Sequence, residues 1–415
     1  MKLKLFIALF SLLGLTGYAQ RITETIKSKK LNASREIQII LPKGYEEKTK
    51  EKFPLLIVLD ADHLIAPVAA NIRYGANIDE NPDFIIVGIN QAKNNDRVYD
   101  TEFEDTGVPS VNSGAFYEFL GMEIIPYIES KYRVQPFRAI MGHGATAAFI
   151  NAYLYKDTSI FNAYIAMSPA YAFDMENVVA NRLSVLKQNI FYYLSSANGD
   201  LKADKEKTKI LDTNIKAKKR DNITYMLDTY PNGTHYNYVT QAIPAAINFI
   251  FNGYAKINNE EYTSKIAVLE KGHTEYLIDR YEKLEKNFGF PVKMRLSDFE
   301  AIEAAIVQKG NYEDLPGLSR LADKLYPGSM LGAYHLALYE EKMEDWGRAE
   351  KAYMKAFGLE PIRNLTKNMM IERAEYYKGK LKEHTKNRKS KKNKSEEIIE
   401  ETPSETSTET SENQE

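Results

Sequence analysis

From Arg35 to about Gly253 the chain alternates short apolar runs with amphipathic stretches, and no other feature constrains its fold as tightly. The runs predict strands at Glu36–Leu41, Leu55–Leu59, Phe84–Ile89, Arg138–Met141, Ala163–Ala166, Ile190–Leu194 and Ile223–Leu227. Several are unbroken and bounded by turn residues, the pattern of strands buried on both faces. Between them, Ser113–Lys131, Ala145–Tyr155, Ala203–Lys219 and Tyr236–Phe251 carry helical spacing. Such alternation builds a mostly parallel α/β sheet, which binds ligands beyond the carboxyl ends of its strands. Asp60-Ala61-Asp62-His63, Ser195 to Asp200 and Pro231 to His235 fall at such ends.

After Ile257 the pattern becomes helical throughout. Pro327 and Pro361 stand 34 residues apart, and the segments before them partly match: Leu325 with Leu359, Ala322 with Ala356, Leu315 with Ala349, Ile302 with Leu336. Ser319, opposite Tyr353, breaks the match. A 34-residue period with small residues, aromatics and a closing proline resembles the tetratricopeptide repeat, which implies an all-α domain that docks a protein partner. A plain pair of helical hairpins is the alternative. From Lys378 the chain is first basic, to Lys394, then acidic, from Glu396 to Glu415. With little to bury, residues 378–415 are expected to be disordered.

The composition, 44% hydrophobic and 27% charged over 415 residues, is that of a globular protein. A net charge of −2 offers no electrostatic basis for binding nucleic acid. Lys2 and Lys4, the apolar run Leu5 to Leu15 and the small-x-small site Gly17-Tyr18-Ala19 predict a signal peptide over residues 1–19. Its apolar core is shorter than the roughly 20 residues that span a bilayer, so no transmembrane segment is expected after cleavage. The remainder divides into an α/β domain at 20–256, a helical domain at 257–377 and the charged tail. With no cysteine there is no disulfide, thiol nucleophile, zinc–thiolate site or lipid anchor. The expected compartment is periplasmic or extracellular, and the protein is not expected to be a lipoprotein. His63, His143, His235, His273, His335 and His384 are scattered, and no glycine-rich phosphate cradle occurs, so neither a metal nor a cofactor is expected. Asp60 to His63 reads as a polar loop at a strand end, with cation binding as the alternative.

The chemistry concentrates at Gly142-His143-Gly144-Ala145-Thr146. An apolar run, Phe137 to Met141, leads in and a helix-forming run leads out, the setting of a nucleophile elbow, G-x-S-x-G. Here glycine occupies the serine position. Further features follow in order: Leu59-Asp60-Ala61, Arg97 with Glu102-Phe103, Ser168-Pro169, and Gly233-x-His235 before the last helix. Together they span about residues 30–253 and resemble the esterase D and enterochelin-esterase-like branch of the α/β-hydrolase fold. That resemblance implies that Gly144 holds the nucleophile position, His235 that of the general base and Asp200 that of the orienting acid. Asp204, Glu206 and Asp228 remain alternatives to Asp200. The backbone amides of Ala145 and Ala61 would form the oxyanion hole.

Glycine has no oxygen with which to form an acyl-enzyme, although it suits the backbone of the elbow. Thr146 and Ala147 also replace the trailing glycines usual in the family. Among other hydroxyls, Thr146 is expected to cap or pack, Ser168 to be structural, and nothing in the sequence activates Ser195 or Ser196. The expectation is therefore an exported pseudo-esterase, with an ester or carbohydrate-type ligand in its cleft and a protein partner on its helices. The alternative is a working carboxylic-ester hydrolase, acting on acyl, feruloyl or siderophore esters through an unrecognised nucleophile.

Overall fold

The structure, a computed structural model, describes the backbone of residues 21–400. The expected signal peptide and residues 401–415 lie outside the described residues. Eight strands form one sheet: β1 (Arg21–Ser28), β2 (Ala33–Ile40), β3 (Phe53–Val58), β4 (Ile85–Ile89), β5 (Val134–His143), β6 (Ala163–Met167), β7 (Ile190–Ala197) and β8 (Ile223–Tyr230). Their order is β1-β2-β4-β3-β5-β6-β7-β8. β2 runs antiparallel to both neighbours, and all pairs from β4 to β8 are parallel. This is the α/β-hydrolase-like sheet expected from the sequence.

Every residue of β3, β4, β6 and β7 is buried, which explains their unbroken apolar runs. The edge strand β1 had no sequence signal of that kind. Its exposure alternates, and Ile22 and Ile26 are only partly covered among charged neighbours, as suits an unpaired edge.

One expected loop is a helix. Asp60 turns the chain in the left-handed region (φ 53°) and starts helix α1 (Ala61–Asn77). Leu64, Ile65, Val68 and Ile72 recur at helical spacing on its buried face. Pro67 inside the helix obscures that pattern in the sequence. Further helices used below are α2 (Asp96–Thr101), α3 (Ala145–Phe149), α4 (Lys202–Ala217) and α5 (Val239–Ile250).

The chain separates into two compact units. The first runs to Lys256 and also takes in Glu282–Val292; the second comprises Ile257–Tyr281 and the chain from Lys293 onward. The expected division into 20–256 and 257–377 thus needs one correction. Phe288 and Phe290 pack against Phe137 of β5, and Phe288 also stacks on Phe191 and Phe251. These aromatics complete the first unit's core, although they belong to the end of helix α6 (His273–Phe288) and the loop that follows.

In the second unit, α7 (Leu296–Lys309), α8 (Leu315–Leu325), α9 (Leu331–Lys342), α10 (Trp346–Phe357) and α11 (Lys367–Glu400) pack consecutively. Ala322, Ala337, Ala349 and Ala356 are fully buried. Ser319, the residue that breaks the repeat, is buried because its hydroxyl donates to the Gly332 carbonyl at 2.7 Å across closely approaching helices. The two proline-bearing turns pair with each other, through Met330 N to Glu360 O (3.0 Å) and Glu360 N to Gly328 O (3.1 Å).

The expectation of disorder from Lys378 fails up to Glu400, where α11 is continuous. Met370, Ala374 and Tyr377 anchor its first turns. Beyond them the Lys- and Glu-rich sequence has good helix propensity and only extends a helix already nucleated. Among the described residues no helix is long and apolar enough to cross a membrane.

Candidate active site

At the end of β5 the chain turns through Gly144 into α3. Gly144 has φ 63° and ψ −118°, a conformation that any side chain would strain. Its amide donates to the Met167 carbonyl (2.9 Å), and its carbonyl accepts from Ala148 and Ala170 (3.1 Å each). The elbow is closed by Thr146, which is fully buried. The Thr146 hydroxyl accepts from the His143 amide (2.8 Å) and donates to Asp60 Oδ2 (2.7 Å). It is therefore a clasp, as expected, and points away from the site.

A Cβ placed on Gly144 would lie 3.5 Å from His235 Nε2 and 3.5 Å from Arg97 Nη2, ordinary contact distances. The site thus keeps room for the side chain it lacks. His235 Nδ1 lies 2.7 Å from Asp200 Oδ1. Because a carboxylate accepts, Nδ1 carries the proton, and in neutral His235 the Nε2 lone pair faces the Gly144 position. Two loops meet to make this contact. A Cβ on Gly199 would approach Thr234 Cα to 2.8 Å and His235 N to 2.9 Å, so glycine is required beside Asp200.

Burial disfavours the Asp200 carboxylate, yet four hydrogen bonds outweigh it and hold its pKa below the usual range. They come from the Ser168 hydroxyl (2.7 Å), the Ala197 amide (2.7 Å), His235 and the Ser196 hydroxyl (3.0 Å). The other acids considered lie elsewhere. Asp228 accepts from Tyr193 (2.9 Å), Asp204 accepts from the Tyr171 amide (3.4 Å), and Glu206 faces Lys202 on α4.

The alternative hydroxyls are engaged away from the base. Ser168, at φ 45°, bonds Asp200 and the Tyr238 hydroxyl (2.7 Å); Ser195 lies 3.3 Å from the Tyr238 hydroxyl; Ser196 serves Asp200. Among the described residues no side-chain hydroxyl bonds to His235 Nε2.

Ala61 and Ala145 open α1 and α3, and an amide at the first helical position has no acceptor within its own helix. β3 and β5 are adjacent, with Val58 opposite Met141, so both helix starts emerge side by side. Arg97 on α2 ties them together. Its Nε and Nη2 bind Asp60 (2.6 and 3.2 Å), and Nη2 also donates to the His143 carbonyl (2.9 Å). Behind Arg97, the buried pair Arg35–Asp100 and Gln91, which bonds both Asp100 and the Asp60 amide, anchor α2. From the first turn of α1, Asp62 accepts the amides of Gln91 and Ala92 (2.9 and 3.1 Å).

His143 lies beneath His235, its Nε2 2.8 Å from the His235 carbonyl. Burial and the neighbouring imidazole lower its pKa to about 4, so it is neutral and donates that bond. The sequence marked Arg97 and His143 without giving either a role, and passed over Tyr238. Their partners lie 37 to 92 residues away, where no local pattern reaches.

Residues 28–241, more than half of the chain, match the family described as "Putative esterase". The chain belongs to this esterase family. Among solved structures, an uncharacterised protein from Capnocytophaga ochracea is 26% identical with a TM-score of 0.80, covering 87% of this chain and 100% of its own. An IroE-like serine hydrolase from Shewanella oneidensis shares the esterase fold at 20% identity and a TM-score of 0.58, over 74% of this chain and 98% of its own. A comparison with curated proteins gives no match.

Proposed function

We propose that the protein is an exported pseudo-esterase, a member of the esterase family that binds a ligand or partner instead of turning over esters. One observation carries this reading: Gly144 sits in the elbow conformation within reach of an intact His235–Asp200 pair and has no oxygen to offer. Loss of the nucleophile costs on the order of 10⁶ in kcat in a serine hydrolase, or about 8 kcal/mol of transition-state stabilisation. Among the described residues, the hydroxyls considered as an unrecognised nucleophile, Thr146, Ser168, Ser195 and Ser196, are bonded elsewhere. The helical unit, with its paired turns at a 34-residue spacing, supports a tetratricopeptide-like role in docking a protein within the cell envelope.

The test is reversion. Gly144→Ser places Cβ at ordinary contact distance from Arg97 and His235, at a strain of about 1–3 kcal/mol from the positive φ. We expect wild-type protein to leave short-chain 4-nitrophenyl esters intact and to escape fluorophosphonate labelling. The Gly144→Ser variant should hydrolyse them, label at position 144, and lose both properties on adding His235→Ala. Wild-type labelling, or turnover at ordinary enzymatic rates, overturns the reading. A weaker second reading, attack by water deprotonated at His235, is favoured by the complete His–Asp pair. It predicts slow turnover abolished by His235→Ala.

A further inference from the structure

We propose that the space at Gly144 binds the carboxylate of a small apolar acid, not an ester; this rests on the pseudo-esterase reading and names its ligand class. Two side chains border the space, Arg97 and His235. Arg97 is 40% exposed; its Nη2 borders the space and holds Asp60 (3.2 Å) and the His143 carbonyl (2.9 Å), while Nη1 of the same guanidinium makes no hydrogen bond among the described residues. His235 is 33% exposed with Asp200 behind it. Arg97 is thus paired with Asp60, and His235 with Asp200. His143, held neutral by burial, adds no charge.

In an active esterase a serine hydroxyl would fill this position, donate to Nε2 and leave little room for an anion. Glycine removes that oxygen. A ligand oxygen there meets Arg97 on one side and His235 on the other, and a carboxylate supplies one oxygen to each. The body of the ligand is set by the mouth of the site. Tyr236, next to His235, is 74% exposed with its ring 4.9 Å from the His235 ring. An exposed aromatic ring beside His235 favours an aryl or short acyl acid over an inorganic anion.

The chemistry imposes a proton count. Where the imidazole is neutral, its Nε2 lone pair repels a carboxylate oxygen, so binding takes up one proton, shared between ligand and imidazole. The charged and titratable groups facing that proton are Asp200, Arg97, Asp60, His143, His63 and Tyr236.

Phenylacetate and methyl phenylacetate, titrated into the full chain, test the proposal. Calorimetry should show the acid binding at least about tenfold more tightly than the ester. Its enthalpy should vary with buffer ionisation enthalpy by close to one proton, and its affinity should weaken towards alkaline pH by up to about tenfold per unit. Gly144→Ala, which fills the space, should weaken binding about tenfold or more while the thermal melt stays cooperative. If that variant fails to fold, Tyr236→Ala serves instead, weakening phenylacetate while leaving acetate unchanged. Equal binding of acid and ester, no proton uptake, or unchanged affinity in both variants overturns the proposal. Hydrolysis of the methyl ester in the same samples would overturn the pseudo-esterase reading itself, which separates the two failures.

Discussion

At the scale of single residues, Gly144 and His143 do opposite things with adjacent positions. Gly144 gives up chemistry and keeps conformation, so reversion to serine needs no repacking. His143 is a stability device with a pH signature. Its folded pKa, about 4, lies below the ordinary value of 6.5, so between these values the unfolded chain holds a proton that the folded chain does not. Its contribution is complete above pH 6.5 and fades as pH falls towards 4, by up to about 3 kcal/mol. Urea midpoints at pH 4.5 and 7.5 should differ less in His143→Gln than in the wild type. An unchanged difference would remove His143 as the cause.

Among elements, the short helix α2 carries Arg97 to the site, and its position depends on the Arg35–Asp100 pair between β2 and α2. Both side chains are at most 5% exposed. Breaking such a pair strands a charge, so Arg35→Leu alone should lower stability by about 3–5 kcal/mol in urea. Arg35→Leu with Asp100→Leu should recover much of that loss. A double variant no more stable than the single one would show that the pair is not isolated from Asp96 and Gln91. The helix α11 shows the limit of composition as a guide: a polar, charged stretch read as disorder is helical because a packed segment precedes it.

For the molecule as a whole, the two compact units interleave along the sequence, since Glu282–Val292 returns to the first. A protein truncated at Lys256 lacks Phe288 and Phe290 and uncovers Phe137, Phe191 and Phe251. Each lost aromatic forfeits about 1.5–3 kcal/mol of burial, so the truncated unit should melt well below one retaining residues 282–292. Phe288→Ala in the full chain isolates the effect, with an expected loss of about 3–5 kcal/mol. A melt unchanged by either alteration would show that the aromatic cluster does not support the sheet.

What the sequence determined alone was periodic or local. Seven strands follow from apolar runs, the elbow from five consecutive residues, and the missing nucleophile from one of them. These properties depend on neighbours within a few positions, whose spacing and φ preferences act before any tertiary contact forms. Only the tertiary structure decided that Asp200, not Asp204, Glu206 or Asp228, meets His235, that Thr146 clasps Asp60, and that Arg97 borders the space at Gly144. Those contacts join residues 35 to 86 positions apart. Strand order and loop packing set their geometry, and many acids, hydroxyls and arginines satisfy the same sequence pattern until the sheet brings particular ones together.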